Sequence, residues 1–194
     1  MALHAAQSAG RQLTMPVTGS ASNPIAFPQS DGTPIGDIGE DVADHSTSGG
    51  NIGVAFDGNT DQSHNVGPRK NQAAPSYIGK DWGAGTQRVV TRFEAFGSNS
   101  IGFSNSGGVP EANVRVHLEG SNDNFVTVVP VHTSGFQTDV VSGAAAPFDE
   151  AVSDTQAFRY HRLRFEPVVV ADGTPYTGNC CNIAEVRFYG YDAP

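Results

Sequence analysis

Two adjacent cysteines, Cys180 and Cys181, carry the most distinctive chemistry in this sequence. They are the only cysteines in the chain and form no C-x-x-C motif, so neither a zinc site nor a disulfide framework is indicated. Neighbouring side chains of an extended chain point to opposite faces, so a bond between these thiols demands a strained ring. We therefore expect two free thiols. If the bond does form, it stiffens the loop before the last predicted strand.

The sequence lacks the short motifs that usually carry catalysis. It has no G-x-S-x-G nucleophile elbow, no H-E-x-x-H zinc motif, no phosphate-binding Walker loop and no dinucleotide fingerprint. His117 and His161 fall in predicted strands without the spacing of metal ligands. A single histidine on a strand is more often packed or solvated, so we assign neither a functional role. We expect that the protein is not an enzyme.

Composition and charge narrow the class of protein further. The 194 residues include 23 glycines and 12 prolines, 16% of the residues are charged, and the formal net charge is -9. Many turn-forming residues indicate short segments joined by turns, and the acidic balance argues against a nucleic-acid partner. No segment approaches the ~20 apolar residues of a membrane-spanning helix, and no apolar core of a secretory signal is visible. We expect no membrane insertion.

Alternating apolar and polar residues predict strands over much of the chain. Val114, Val116 and Leu118 share one face of their segment, which is typical of a sheet with one face on a core. Strands are predicted at about 53–56, 76–81, 87–96, 112–119, 125–132, 157–166 and 183–190. Short strands with little helix predict an all-β fold, a sandwich of two sheets.

The first 44 residues differ in character from the rest. Prolines at 16, 24, 28 and 34 and weak periodicity favour an extended segment, and the stretch 36–51 is acidic and rich in turn residues. We therefore predict an N-terminal arm over residues 1–44, a candidate assembly anchor, and one domain over residues 45–194.

Four groups of residues resemble motifs of the discoidin family, the coagulation factor V/VIII C-domain type, and most closely its family 32 carbohydrate-binding modules. They are AFDGNTDQSH (55–64), YIGKDWG (77–83), VHLEGSNDNF (116–125) and the pair FRYHRLRF (158–165) with NIAEVRFYG (182–190). The resemblance covers roughly residues 45 to 191. It implies a jelly-roll β-sandwich of galactose-binding-like type whose loops at one end bind a ligand, most often a sugar. Such a fold does not fix the function.

The resemblance also implies a structural calcium ion. In the family, the aspartate of the Asp-Gly turn and the glutamate of the closing Ala-Glu pair contribute to the site, and the matching residues are Asp57 and Glu185. Asp61 and Gln62 fall where the family offers further oxygens, although threonine is commoner at the second position. Oxygen ligands from distant segments suit Ca²⁺. In the alternative, Asp57 caps a turn and Glu185 faces solvent.

Candidate ligand-binding residues follow from the same resemblance. His64 stands where the family usually has an exposed tryptophan, so His64 and Asn65 are candidates to hold sugar hydroxyls, with Arg69 near for an acidic group. Asn99 matches an asparagine of galactose-binding relatives, but their accompanying arginine is missing. Tyr176 lies where relatives place an aromatic contact and could stack on a sugar ring or plug the loop. The alternative is a polar loop without a ligand.

These residues leave more than one function open. The first is a non-catalytic carbohydrate-binding module, outside the cell or on a virion surface, anchored to a capsid or tail protein by the arm and displayed in several copies towards a host polysaccharide. The second is a purely structural decoration or assembly protein of a virion, without a sugar ligand. A third, an accessory module of a secreted glycoside hydrolase, predicts a catalytic domain or linker that is not visible in this sequence.

Overall fold

Antiparallel strands make up the framework of the protein. The computed structural model describes residues 19–36, 52–60, 76–97, 112–139, 148–166 and 183–194. A short 3-10 helix, Ile52–Phe56, follows the second strand. The strands, in chain order, are β1 (Ile25–Ala26), β2 (Thr33–Gly36), β3 (Ser76–Asp81), β4 (Arg88–Gly97), β5 (Ala112–Val114), β6 (Val116–Ser121), β7 (Val129–Thr133), β8 (Gln137–Asp139), β9 (Phe148–Ala151), β10 (Tyr160–Phe165) and β11 (Ile183–Asp192).

The strands form two main sheets whose pairings are antiparallel. One sheet has four strands in the order β1-β11-β4-β9, and the other has five in the order β2-β3-β10-β6-β7. Strands β5 and β8 pair separately. Most neighbouring strands, such as β1 and β11 or β3 and β10, are distant in the sequence, as in a jelly roll, so the predicted all-β sandwich is confirmed.

The hydrophobic core lies between the two main sheets. In the five-stranded sheet, Leu163 of β10 lies opposite Leu118 of β6 and Ile78 of β3, and all three are buried. In the four-stranded sheet, Phe93 of β4 pairs with Phe188 of β11, and both are buried. Burying a leucine or phenylalanine contributes roughly 1.5–3 kcal/mol. These rows therefore hold the two sheets face to face.

Residues 25–36, inside the arm expected for residues 1–44, pair with both sheets. Strand β1 pairs with β11 at an edge of the four-stranded sheet, and β2 pairs with β3 at an edge of the five-stranded sheet. Between them, Phe27 is buried and its ring lies 5.3 Å from that of Trp82. This part of the N-terminal segment therefore closes one side of the sandwich.

Two buried cations hold the connection between β1 and β2. Nζ of Lys80 donates to the carbonyl oxygen of Gln29 at 2.8 Å. Arg88 donates through Nη2 to Asp31 at 2.8 Å, and its guanidinium lies over the ring of Phe27, 4.3 Å from the centroid. Because each cation reaches the segment from a strand of a different sheet, both sheets contribute to fixing it.

The prediction of a strand at residues 53–56 is wrong, because these residues belong to the 3-10 helix. Val54, Ala55 and Phe56 are buried in succession. A half-buried strand would alternate buried and exposed side chains, whereas a short helical turn lying against β2 and β11 buries consecutive residues.

The strand expected at residues 125–132 starts late, at Val129, because a turn occupies residues 122–128. Asn124 and Phe125 both have left-handed backbones, with φ of 57° and 62°. The hydroxyl of Ser121 accepts the N–H of Phe125 at 2.9 Å, and a carboxylate oxygen of Asp123 accepts a second N–H in the turn at 2.8 Å. These side-chain bonds replace the strand ladder over this stretch.

Strand pairings define the two ends of the sandwich. At one end, Gly97 of β4 pairs with Ile183 of β11, and Phe165 of β10 pairs with Ser76 of β3. The chain segments 61–75, 98–111 and 167–182 join the strands at these positions, so we call this the loop end.

The opposite end contains the β3–β4 and β6–β7 turns, and we call it the hairpin end. There, Arg88 at the start of β4 and Phe158 just before β10 exchange two backbone hydrogen bonds, both 2.9 Å long. This bridge joins the two sheets. It also shows that β4 and β10 start at the same end, so that both finish at the loop end.

Candidate functional site

Glu185 places a carboxylate inside the protein close to the loop end. Strand β11 opens with a bulge, because Ile183 pairs with Gly97 while Glu185 pairs with the adjacent residue, Phe96. Bulges re-aim the side chains that follow them. Residues 183–186 are all buried, and Glu185 itself has 0% exposure. Glu185 therefore does not face solvent.

The buried carboxylate has fewer partners than its charge requires. Oε2 accepts the backbone N–H of Gly58 at 3.3 Å, and Nε of Arg187 lies 3.5 Å from Oε1. Oε1 accepts no hydrogen bond from the described residues. Burial raises the pKa of Glu185 to about 7; Arg187 and the Gly58 N–H lower it, whereas the charge of Asp57 raises it.

Asp57 and Gly58 form the turn that meets Glu185. Oδ1 of Asp57 accepts the backbone N–H of Asn59 at 2.8 Å, and Gly58 has a left-handed φ of 82°. A short side-chain bond of this kind and a glycine with positive φ are typical of a tight turn. The turn follows the 3-10 helix directly and brings the exposed Asp57 near enough to act on the pKa of Glu185.

The described part of this site fits a hard divalent cation in its donor chemistry. A buried carboxylate oxygen without a donor is costly unless a cation or a hydrogen bond compensates it. Asp57 and Glu185 are oxygen ligands of the kind that Ca²⁺ takes, from segments far apart in the sequence. Within the described ranges, no three His, Cys, Asp or Glu residues form a metal-binding group. The other expected ligands, Asp61 and Gln62, lie outside the described residues.

The candidate ligand-binding residues also lie outside the described residues. They are His64, Asn65, Arg69, Asn99 and Tyr176. The adjacent cysteines, Cys180 and Cys181, lie outside the described residues as well. The described strands nevertheless show where their segments attach: Ser76, Gly97, Phe165 and Ile183 all lie at the loop end. The fold thus gives these segments a common point of attachment at the end where Glu185 and Asp57 meet.

Several solved structures, among them two carbohydrate-binding modules, share this architecture. The family 62 module of Xyl5A from Clostridium thermocellum has a TM-score of 0.52 at 24% identity, over 84% of this chain and 96% of that one. The family 32 module of NanJ from C. perfringens, solved in complex with galactose, has a TM-score of 0.53 at 15% identity, over 86% and 98%. An F5/8 type C domain from Bacteroides fragilis has a TM-score of 0.53 at 13% identity, over 87% and 97%.

The protein has a discoidin-like, galactose-binding-like fold. This confirms the family resemblance seen in the sequence at the level of fold. At identities of 24% and below, the likeness shows the architecture and leaves the ligand open. No protein-family model and no curated protein matches the chain.

Trp82 and His161 form a buried pair in the discoidin-like core. Trp82 is 7% exposed and belongs to the hydrophobic core. Its Nε1 donates to Nδ1 of His161 at 2.9 Å. Burial lowers the pKa of His161 to about 3, with a smaller contribution from Arg88, so the ring is neutral. His117 bonds to Thr133 and Glu166 instead. Both histidines therefore have structural partners.

Lys80 is a buried cation of the discoidin-like domain that the sequence analysis missed. It lies on the core side of β3 between Ile78 and Trp82, is 2% exposed, and its Nζ lies 4.4 Å from the ring centroid of Phe56. Burial lowers its pKa to about 8, while the charges of Asp31 and Glu185 raise it. The signal in the sequence was a lysine at a position where alternation predicts an apolar residue.

One further property of the discoidin-like chain concerns membranes. Among the described residues, no helix has both the length and the hydropathy needed to cross a bilayer.

Proposed function

We propose that the protein is a non-catalytic carbohydrate-binding module that holds a glycan at the loop end of its sandwich. The observation that carries this proposal is the common attachment, at that end, of the segments with His64, Asn65, Arg69, Asn99 and Tyr176. The likeness to a family 32 module solved with galactose supports it. The amide, imidazole and guanidinium groups would bind hydroxyls, and the tyrosine ring would stack on the sugar.

The proposal includes a structural Ca²⁺ beside the loops. Asp57 and Glu185 would hold it, with Asp61 and Gln62 as further oxygen ligands. The buried, incompletely paired carboxylate of Glu185 supports this assignment. The ion would add to the positive charge of Arg187, which compensates Glu185 only in part, and would tie the turn after the 3-10 helix to β11. It would have no catalytic role.

The proposed setting is outside the cell or on a virion surface, with several copies displayed together. A few hydrogen bonds and one aromatic contact give weak affinity at a single site. Display of several copies raises the overall affinity without any new contact. The arm would anchor the module to a protein partner such as a capsid or tail protein. A protein lacking the N-terminal residues that precede β1 should therefore fail to assemble onto virion particles, and assembly of that protein would contradict the anchoring role.

A glycan array tests the sugar-binding proposal directly. The protein is presented as a multimer with calcium against bacterial capsular polysaccharides, lipopolysaccharides and mammalian glycans. Binding should be lost in a His64→Ala, Tyr176→Ala double variant. It should persist in a Val126→Ala, Gln156→Ala control, which alters two exposed side chains outside the loop segments. A folded protein that binds no glycan, or binding unchanged in the loop variant, contradicts the proposal.

A purely structural role is the second candidate. It is favoured by one observation: the tryptophan and the arginine that sugar-binding relatives usually have are replaced or missing around His64 and Asn99. The loop end would then contact protein in an assembly. In that case the array gives no binding, and the same loop variant should weaken particle assembly.

A further inference from the structure

A cavity at the hairpin end, opposite the loop end, has no role in the function proposed above. It has a volume of about 210 Å³ and lies between the β3–β4 turn, the β6–β7 turn and residues 193–194, which follow β11. Its lining consists of Gly85–Gln87, Asn122, Arg159 and Ala193–Pro194. At about 30 Å³ per liquid water, this is room for roughly seven waters, or for one small ring.

Two side-chain amides in the lining are oriented by hydrogen bonds that leave part of each amide free. Oδ1 of Asn122 accepts Nε2 of Gln87 at 3.1 Å and the backbone N–H of Arg159 at 2.9 Å. Nδ2 of Asn122 and Oε1 of Gln87 then have no partner among the described residues. A hydroxyl group both donates and accepts, so a neighbouring donor and acceptor are suited to bind hydroxyls.

The charge of Arg159 is already compensated by a carboxylate. Its Nε and Nη2 donate to the two oxygens of Asp81, each at 2.8 Å, in a bidentate pair. The hydrogen bonds from Arg159 keep the pKa of Asp81 below its usual value, so the pair stays ionised and internally neutral. Nη1 has no partner among the described residues and is available as a further donor. These groups therefore favour a neutral polar ligand over an anion.

Backbone hydrogen bonds fix the walls of the cavity. The N–H of Thr86 donates to the carbonyl oxygen of Gly83 at 3.2 Å. The N–H of Ala193 donates to the carbonyl oxygen of Gln87 at 2.9 Å. The second bond ties residues 193–194 to the β3–β4 turn. A site whose polar groups are already positioned loses little conformational freedom when it binds a ligand.

We propose that this cavity is a second ligand site, which binds one neutral pyranose ring through Asn122, Gln87 and Arg159. It lies at the opposite end of the sandwich from the loops, so a module with both sites would hold two sugars facing away from each other. This second site does not depend on the loop-end site. The lining offers hydrogen bonds but no aromatic platform, so we expect a millimolar dissociation constant.

Amide chemical shifts of ¹⁵N-labelled protein, titrated with D-galactose and separately with D-glucose, test this site. At least one sugar should shift the amides of Thr86, Gln87 and Asn122. An Asn122→Asp variant retains the acceptor for Gln87 and Arg159 but loses the Nδ2 donor, and should bind about five- to tenfold more weakly. An Asn124→Asp control makes the same change in the same turn, outside the lining, and should bind as the wild type does.

The two sites can be separated in the same titration. A His64→Ala, Tyr176→Ala variant should retain the shifts at Gln87 and Asn122; their loss would place the sugar at the loop end and overturn the second site. No shift with either sugar, or equal affinity in Asn122→Asp, would overturn it too. If that variant unfolds, as its spectrum would show, Gln87→Ala removes the free acceptor instead and should weaken binding similarly. A failed glycan array leaves this titration unaffected.

Discussion

The backbone N–H of Gly58 donates to Oε2 of Glu185 at 3.3 Å, across 127 positions of the sequence. This bond joins the turn after the 3-10 helix to the last strand. The other carboxylate oxygen, Oε1, has no donor among the described residues. A cation bound there would complete the set of partners that a buried carboxylate requires.

Calcium should stabilise the protein through Glu185. A ligand present at about 100 times its dissociation constant stabilises the folded state by about 2.7 kcal/mol, which raises the melting temperature of a domain of this size by several degrees. We expect this rise on adding Ca²⁺ to chelator-treated protein, measured by calorimetry. Glu185→Gln keeps an acceptor for Gly58 but removes the charge, and should abolish most of the rise.

The control for this experiment is Asp154→Asn, which neutralises a half-buried acid whose hydrogen bonds, within the described part of the chain, come from Gln156. That variant should respond to calcium as the wild type does. An equal response in Glu185→Gln would contradict the assignment of the ion to this site.

Lys80 should make stability depend on pH in the alkaline range. Its pKa is lowered to about 8 from 10.5 in the folded protein. Below about pH 8 the amine is charged in both states. Between about pH 8 and 10.5 the unfolded chain binds more protons than the folded one, so the free energy of unfolding contributed by Lys80 rises with pH. The rise should reach about 3 kcal/mol.

Urea denaturation of the wild type and of Lys80→Met across this pH range measures the effect. Contributions of other groups that are the same in both proteins cancel in the difference between them. The wild type should gain stability relative to the variant as the pH rises. A difference that stays constant with pH would show that burial does not perturb Lys80.

The hydrogen bond from Trp82 to His161 should couple their contributions to stability. His161→Leu leaves the buried indole N–H unpaired, which costs about 1–3 kcal/mol. Trp82→Phe removes the donor, so the double variant should cost about 1 kcal/mol less than the sum of the single variants. Circular dichroism is the suitable probe of urea unfolding, because Trp82 is the only tryptophan. Strict additivity would argue against the bond.

Gly79 should tolerate no side chain, because β3 lies tightly against β10. A Cβ there would overlap the carbonyl oxygen of His161 and lie 2.6 Å from Cα of Arg162. Gly79→Ala should therefore lower the free energy of unfolding by about 2 kcal/mol or more, as measured by thermal denaturation. A Cβ on Gly135 would meet open space, so Gly135→Ala should change stability by less than about 0.5 kcal/mol. Equal effects of the two substitutions would contradict this explanation.

Strands with clear alternation were predictable from the sequence, and weakly patterned ones were not. Strand β3 was expected at residues 76–81 and has those bounds, and β4 and β10 fall within a few residues of their predictions. Strands β1, β8 and β9 have two to four residues each and too few alternations to be recognised. For two of them, pairing with a longer strand decides the conformation: β1 pairs with β11, and β9 pairs with β4.

The sequence by itself determined the class of fold and the family resemblance, because alternation and short turn motifs are local properties of a chain. The metal-binding role of Asp57 and Glu185 stays a prediction from that resemblance. Only the tertiary structure decided that Glu185 is fully buried, that Lys80 is held inside by Gln29, and that β1 and β2 close the sandwich. Burial and charge compensation depend on residues far apart in sequence. The effects of the bulge in β11 and of the lysine on the core side of β3 therefore depend on which distant residues the fold places beside them.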